Sequence, residues 1–525
     1  MRHAQISILE ILNVFLRLIR LRWIAFLELE KKSEFFKGLI LSNIRCLWIG
    51  VLISSGVFLR LFNLDAQSLW QDEAIQFFVA SADTFSLVIK RAFSGATPPL
   101  SHLINHIFFK AGESDFILRL PSALFGIASL PVFYLVSKKI VSKQAALFAL
   151  LVFTFSPFHI WYSQEARPYA QLLFFGLLST HLLFIAIERR RIIWWVGYGL
   201  SMFAGLASQV FMGFMLMAHF LWVMIYHRQR LTAYTAAAAG AMIPFIGLIP
   251  FYIRSYRVSI GSMGRPGFSL TELGYTFFIY AGGFSIGPNI ADLHADRSIR
   301  MLEPFWSSIA IVALVFGGLL LFGLIFLSKK NESQWLALCL LGLCIPIAGA
   351  ALYALGIRYN VRYTITAVPF FCIIAGCGLA HLFQKHRYLW MILIIGFTGI
   401  TTFSLYNYYQ NPYYEKENVR DAMAFWRHVP GRVALLSNQD ATVKRYLDEA
   451  EKERFIPIKK YSDLITTIND FFNSPENISA WVVLARDWGQ IRENQIRQRY
   501  RVVSEQQFTG VIVLLLTKGS RSIFH

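Results

Sequence analysis

Long apolar stretches dominate the order of residues, broken at intervals by short polar connections. A membrane-spanning helix needs roughly 20 apolar residues to cross about 30 Å of hydrocarbon. Eleven stretches qualify as candidates: 46–63, 115–137, 144–158, 168–187, 192–209, 210–226, 232–252, 305–328, 334–356, 363–382 and 388–405. Ahead of them, His3, Ser7, Glu10, Asn13, Arg17 and Arg20 recur three or four residues apart among Ile, Leu and Phe. That spacing predicts an amphipathic helix lying in the membrane plane over residues 1–40. After residue 405 the pattern changes to short apolar runs at 432–436, 480–484 and 511–516, which read as buried strands. Helical periodicity lies between and around them at 440–450, 461–472 and 490–499. Residues 406–525 are thus expected to form a small α/β domain, and residues 41–405 a helical membrane domain.

Composition agrees. Of 525 residues, 56% are hydrophobic and only 15% charged, well under the quarter usual for a soluble domain. In a soluble protein the formal charge of +19 would suggest nucleic acid; here it reads first as topology, because Lys and Arg collect in cytoplasmic loops. With the N-terminus inside, Lys138, Lys139 and Lys143, then Arg189–Arg191, Arg228 and Arg230, Lys329 and Lys330, and Lys385 and Arg387 all fall on one side. Residues 98–111 then rest on the outer surface, since a span there would expel Lys138 and Lys139. The outer side receives the loops 64–114 and 253–304, the turns 158–167 and 357–362, and the C-terminal domain. The five cysteines lie in apolar runs, and none forms a Cys-x-x-Cys pair. No Gly-x-Gly-x-x-Gly or Walker-type loop follows a strand, so no nucleotide-binding fold is indicated.

The chemistry-bearing residues concentrate on this outer side. Asp72 and Glu73 follow the first span closely. An acidic residue there can cap a helix or act as a general base in a partly desolvated cleft. Arg119 sits one turn inside an apolar span, where a cation snorkels or meets an anion. The run Tyr162-Ser163-Gln164-Glu165-Ala166-Arg167-Pro168-Tyr169 and the pair Arg362-Tyr363 place further cations and aromatics outside, against the charge bias. Arg254, Arg257 and Arg265 do so too, in a long loop that escapes the rule. His102 and His106 have the i, i+4 spacing of metal ligands, but no third ligand accompanies them, so no metal and no other cofactor is indicated.

The ordered set Leu69-Trp70-Gln71-Asp72-Glu73-Ala74, Thr97-Pro98-Pro99-Leu100, Leu118-Arg119-Leu120-Pro121-Ser122, Ser156-Pro157 with Tyr162 to Tyr169, and Arg362-Tyr363 with Pro369 resembles the polytopic GT-C glycosyltransferases. The likeness is to the branch containing protein O-mannosyltransferases (glycosyltransferase family 39), the aminoarabinose transferase of lipid A and rhizobial lipopolysaccharide galacturonosyltransferases. It covers roughly residues 46–405. The family's usual Asp-x-His-Pro-Pro-Leu stands here as Gly95-Ala96-Thr97-Pro98-Pro99-Leu100, without its two polar positions.

The resemblance implies a sugar donor on a polyprenyl phosphate and a cell-envelope acceptor (lipopolysaccharide, protein or wall polymer), met at the outer face of a bacterial cytoplasmic membrane. It implies Asp72 as the catalytic base with Glu73 beside it, and Arg119, Arg167 and Arg362 on the donor phosphate. Glu165, Tyr162, Tyr169 and Tyr363 are then expected at the substrate, and membrane lipids, not nucleic acid, as the surroundings. A transporter or lipid-carrier flippase is the alternative of similar composition. It would show internal repeats and mid-membrane ionisable groups, whereas most ionisable residues here lie at the outer edge.

Overall fold

The computed structural model describes residues 34–95, 97–246, 267–295, 299–329, 333–428, 434–458, 463–487 and 490–518, with isolated positions between 247 and 266. The amphipathic pattern over residues 1–33, Arg254, Arg265 and the 432–433 end of the first strand run lie outside the described residues. Two compact units divide within the first long helix, one up to Ser55 and one from Gly56 onward. Apart from the first part of α1, everything described below belongs to the second.

The helices in chain order are α1 (Glu34–Leu61), α2 (Gln71–Ala80), α3 (Phe85–Ser94), α4 (Leu100–Phe108), α5 (Asp115–Ile140), α6 (Lys143–Thr154), α7 (Pro157–Ser163), α8 (Tyr169–Arg189), α9 (Ile192–Ser208), α10 (Met212–Tyr226) and α11 (Leu231–Ile246). They continue with α12 (Leu270–Gly282), α13 (Ile290–Ala295), α14 (Trp306–Ser328), α15 (Ser333–Tyr353), α16 (Val368–Lys385) and α17 (Arg387–Gln410). Among the described residues, seven helices are long and apolar enough to cross a membrane. This is a multi-pass membrane protein.

The expected count of eleven spans is revised by helix length and by a bend. The stretch 144–158 is not one helix but the pair α6 and α7, bent by 56°. Ser156 and Pro157 cause the break: proline has no N–H to continue the ladder, and Ser156 Oγ caps the new helix by accepting from the His159 N–H. Carbonyls freed by such a break need donors inside a membrane. Arg60 supplies one, donating from Nη1 to Thr154 O at 3.3 Å, with its Nη2 2.8 Å from Nδ1 of His159. The adjacent α9 and α10, of 17 and 15 residues, fall short of full spanning length. The loop 253–304, expected outside, forms α12 and α13 among its described residues, and Thr276 and Tyr280 of α12 pair with Tyr359 and Thr364. α17 runs to Gln410, past the expected boundary at 405.

The helix α16 is the packing axis of the membrane part and is almost wholly buried. Small residues make that possible, because backbones approach closely only where no side chain intervenes. A Cβ on Gly378 would lie 2.0 Å from Leu319 O of α14, and one on Gly376 would lie 2.4 Å from the Ala149 backbone of α6.

After α17 come α18 (Val419–His428), β1 (Ala434–Ser437), α19 (Asp440–Tyr446), α20 (Glu449–Lys452), β2 (Phe455–Pro457), α21 (Leu464–Asn473), β3 (Ser479–Ala485), α22 (Ile491–Arg499), β4 (Arg501–Phe508) and β5 (Val511–Thr517). The strand order is β2-β1-β3-β5-β4. β1 pairs parallel with β2 and β3, whereas β5 pairs antiparallel with β3 and β4. Two apolar clusters, one around Trp426 and Trp481 and the other around Ile468 and Val482, cover opposite faces. This explains why β3 and β5 are continuous hydrophobic runs.

This α/β part is fastened to the loop after α1 through Asp115 at the start of α5. Its carboxylate accepts from Arg420 at 2.8 Å, Arg445 at 3.0 Å and the Tyr446 hydroxyl at 2.9 Å. Tyr446 Oη in turn accepts the Leu69 N–H at 2.8 Å. Tyr446→Phe removes both bonds and leaves a backbone donor unpaired. We expect it to cost about 1–3 kcal/mol, seen as a lowered midpoint on denaturation in detergent.

Candidate active site

The site is built where the loop after α1 turns into α2. Trp70 precedes the helix without a side-chain cap, and Asp72 and Glu73 occupy its first turn, where acidic side chains meet the positive helix end. Successive residues on a helix point about 100° apart, so the two carboxylates enter different surroundings.

Glu73 turns inward and is completely buried. Its Oε1 and Oε2 accept from Arg119 Nε at 2.9 Å and Nη2 at 2.8 Å. Oε1 also accepts the Ala166 N–H at 2.8 Å, and Lys416 Nζ lies 3.6 Å from Oε2. Burial pushes the Glu73 carboxyl up, but Arg119 and Lys416 outweigh it and hold the group well below the usual range. Arg119, 2% exposed, also donates to Leu64 O, Gln67 O and Ser68 O at 2.8–3.1 Å. All five of its N–H donors are thus engaged. In this structure Arg119, expected on the donor phosphate, has every donor engaged within the protein, and Glu73, expected beside the base, is fully enclosed. Together they shape the loop that presents Asp72.

Asp72 turns outward, its side chain 26% exposed. Arg362 Nη1 stands 3.4 Å and Arg167 Nη2 3.7 Å from Oδ2, and Arg167 Nη1 reaches Asp72 O at 3.5 Å. Both contacts to the carboxylate are long for charge-assisted bonds, and the Nε of each arginine is buried without a partner. Burial raises the Asp72 carboxyl, but the charges of Arg167, Arg362 and Arg486 prevail and lower it below the ordinary carboxylate value. Arg167 is set by its place between the α7 turn and Pro168, with its carbonyl accepting from Ser122 Oγ at 3.2 Å. Arg362 lies over the rings of Tyr169 and Tyr363 at 5.6 and 5.7 Å, an arrangement that suits guanidinium.

The expected substrate residues divide in the same manner. Tyr169 stands behind Arg362. Tyr162 is buried and meets the Tyr169 ring edge-on at 5.0 Å, while Tyr363 also packs on Phe211 at 4.4 Å. Glu165 accepts from Trp161 Nε1 at 3.1 Å and lies 3.3 Å from Lys416 Nζ; its Oε1 is buried and unpartnered. Burial raises its pKa, Lys416 opposes and Glu73 adds to the rise. His102 and His106 do not act together: His102 Nε2 is 3.0 Å from Thr97 Oγ1, and His106 Nδ1 is 2.9 Å from Ala80 O. Burial, with Arg167 nearby, holds His102 down to about 3, and so neutral.

Two cations that sequence reasoning did not single out reach the site from the C-terminal side. Lys416, 8% exposed, bridges Glu73 and Glu165 and lies over the rings of Trp161 and Trp70 at 5.6 and 5.9 Å. Arg486 lies 5.3 Å over the Trp70 ring and donates to Gln71 Oε1 at 3.1 Å.

A helical membrane bundle thus carries an acidic loop after its first helix, arginines at the mouths of later helices and a C-terminal α/β sheet. Residues 96–253 match the family described as dolichyl-phosphate-mannose-protein mannosyltransferase. A putative mannosyltransferase of Bacillus subtilis, YkcB, is 26% identical over 183 residues, which are 33% of this chain and 25% of that protein. The chain therefore spans about a quarter of that relative's length. ArnT from Cupriavidus metallidurans in the apo state superposes with a TM-score of 0.54 at 12% identity, over 89% of this chain and 97% of that one. ArnT bound to undecaprenyl phosphate gives 0.52 at 12% identity, over 89% and 98%. The oligosaccharyltransferase AglB from Archaeoglobus fulgidus, in complex with an inhibitory peptide and a dolichol-phosphate, gives 0.52 at 13% identity, over 94% and 75%. The chain thus shares the fold of these membrane proteins over most of its length.

Proposed function

We propose that this protein is an inverting glycosyltransferase that moves a sugar from a polyprenyl-phosphate donor to a cell-envelope acceptor at the outer face of a bacterial cytoplasmic membrane. One observation carries the reading. A half-open carboxylate, Asp72, stands between two guanidiniums, Arg167 and Arg362, whose donors are only partly used. The ligands bound by two of the fold neighbours, undecaprenyl phosphate and dolichol-phosphate, are both polyprenyl-type phosphates and support this reading.

Displacement at the anomeric carbon passes through an oxocarbenium-like state. The departing phosphate monoester is a stable anion that needs cations rather than a proton. Arg167 and Arg362 supply them, and Asp72 takes the proton of the attacking hydroxyl. A carboxylate held between two arginines is a weak base. A donor phosphate, however, shares the same guanidiniums and draws them from Asp72, so basicity recovers only with the donor in place. The reaction then proceeds by one inverting displacement.

The test is to supply membranes carrying the protein with labelled polyprenyl-phosphate sugars and follow the label. Its covalent appearance on lipopolysaccharide, protein or wall polymer supports the reading. Label that crosses the bilayer but stays on its carrier would establish a flippase instead. Within this assay, Arg167→Gln and Arg362→Gln should each lower kcat/KM by roughly 10- to 100-fold, the equivalent of a charged hydrogen bond of about 1.5–3 kcal/mol.

A further inference from the structure

Arg486 is placed with unusual care for a surface-domain residue. It follows the last residue of β3 and holds a left-handed backbone, φ 59°, which a residue with a side chain adopts only where its surroundings compel it. Its N–H donates to Gly510 O at 3.4 Å, at the turn between β4 and β5. Its Nε donates to Glu417 Oε1 at 2.6 Å and its Nη1 to Gln71 Oε1 at 3.1 Å, while the guanidinium covers the Trp70 ring. Only 17% of the side chain is exposed. The parallel strands β1 and β3 both end on this side, and the carboxyl ends of parallel strands are where open α/β sheets carry function. Here that end delivers a cation to the first turn of α2, the turn that bears Asp72.

We propose that Arg486 is a positioning residue of the active site, through which the C-terminal domain holds the amino end of α2 and the Asp72 carboxylate in their reactive arrangement. The proposal rests on the transferase reading above. Glu417, in the strap between α17 and α18, fixes Arg486 from behind. Its neighbour Lys416 enters the Glu73–Glu165 pair. One short segment thus ties the domain to both carboxylates of α2.

The consequence is a pH effect, because the charge of Arg486 helps keep Asp72 ionised. The groups around Asp72 are Arg167 before α8, Arg362 before α16 and Arg486 itself. Tyr162, Tyr169 and Tyr363 stand behind the two membrane-side arginines, and His102 of α4 is held neutral near Arg167. Glu73, Arg119, Glu165 and Lys416 form the adjoining paired set, and Glu417 lies beyond Arg486. Removing Arg486 takes away one of three cations. The Asp72 pKa then rises, and the base becomes protonated at a higher pH.

The experiment compares the full-length wild type with Arg486→Gln and Arg486→Lys in the transfer assay, over a range of pH, with the melting temperature of each recorded. Arg486→Gln is expected to lower kcat by about 10- to 100-fold, as misplacement of a reacting group does. Donor KM should stay within about twofold, because the phosphate-binding arginines are untouched, and the acid limb should move to higher pH. Arg486→Lys, which keeps the charge but not the fork, should return the limb to its wild-type position and recover only part of kcat. If kcat and the acid limb are unchanged in the Gln variant, the proposal is overturned. The same holds if kcat falls with the melting temperature and Lys does not restore the limb, since the role is then structural only. If the Gln variant does not fold, the Lys variant decides: wild-type kcat in it would overturn the need for the fork. A wild type that transfers no label would instead sink the transferase reading itself.

Discussion

Asp72→Asn should abolish sugar transfer while the protein continues to fold and to bind its donor. A positioned general base contributes about 10²- to 10⁴-fold, and the amide cannot accept a proton at neutral pH. The replacement has nearly the same shape, and the side chain is partly exposed, so the fold should tolerate it. Donor affinity should hold or tighten, because Arg167 and Arg362 lose the internal anion that competes with a phosphate for them. The pH profile supplies a second readout. The ionised carboxylate is the active form, so activity is present above its folded pKa and is lost as the pH falls through it. That value lies below the ordinary carboxylate range, burial being outweighed by the three arginines. The kcat/KM of the wild type, which reports the donor-free enzyme, should therefore hold through pH values at which a free aspartate, at about 3.9, begins to protonate. Wild-type turnover in Asp72→Asn would remove this residue from the mechanism.

The membrane helices were legible in the sequence because hydropathy over some 20 residues reports burial in lipid directly. What hydropathy cannot report is a bend. The stretch 144–158 reads as apolar throughout, and only Ser156 and Pro157 mark the 56° break between α6 and α7. In the C-terminal domain β1, β3 and β5 announce themselves as runs buried on both faces. β2 is only three residues long and ends in Pro457, and β4 is a polar, largely exposed edge strand, so neither has an apolar signature. The acidic pair was visible as a pair, but not the division of labour within it, which arises from the helical angle between neighbours. Arg119 reads in the sequence as a cation that snorkels or meets an anion, and the resemblance puts it on the donor phosphate. The sequence could not say that the anion is Glu73, 46 residues earlier. Lys416 and Arg486 are two among 50 lysines and arginines. Tertiary contacts alone distinguish them.

The assignment of Arg119 to the loop's architecture leads to the second large effect: Arg119→Met should cost stability rather than donor affinity. Removing one member of a buried ion pair leaves the other charge uncompensated, at about 3–5 kcal/mol. Here Glu73 would keep only Lys416 at 3.6 Å and the Ala166 N–H, and the carbonyls of Leu64, Gln67 and Ser68 would lose their common donor. Glu73→Met should destabilise comparably, by stranding the guanidinium. The double variant Glu73→Met/Arg119→Met should be less destabilised than the sum of the two, since neither charge is then left alone. A phosphate ligand would behave differently: its loss would weaken donor binding, leave the melting temperature unchanged and show no coupling to Glu73. The pH dependence has a definite sign as well. Glu73 is depressed in the folded protein, so the pair's stabilisation is complete above the unfolded glutamate value of about 4.3. It fades as the pH falls from there through the folded pKa. Acid titration of the melting temperature in detergent should therefore show a loss in the wild type that is absent from the double variant. An equal loss in both would mean that other carboxylates, and not this pair, set the acid stability of the fold.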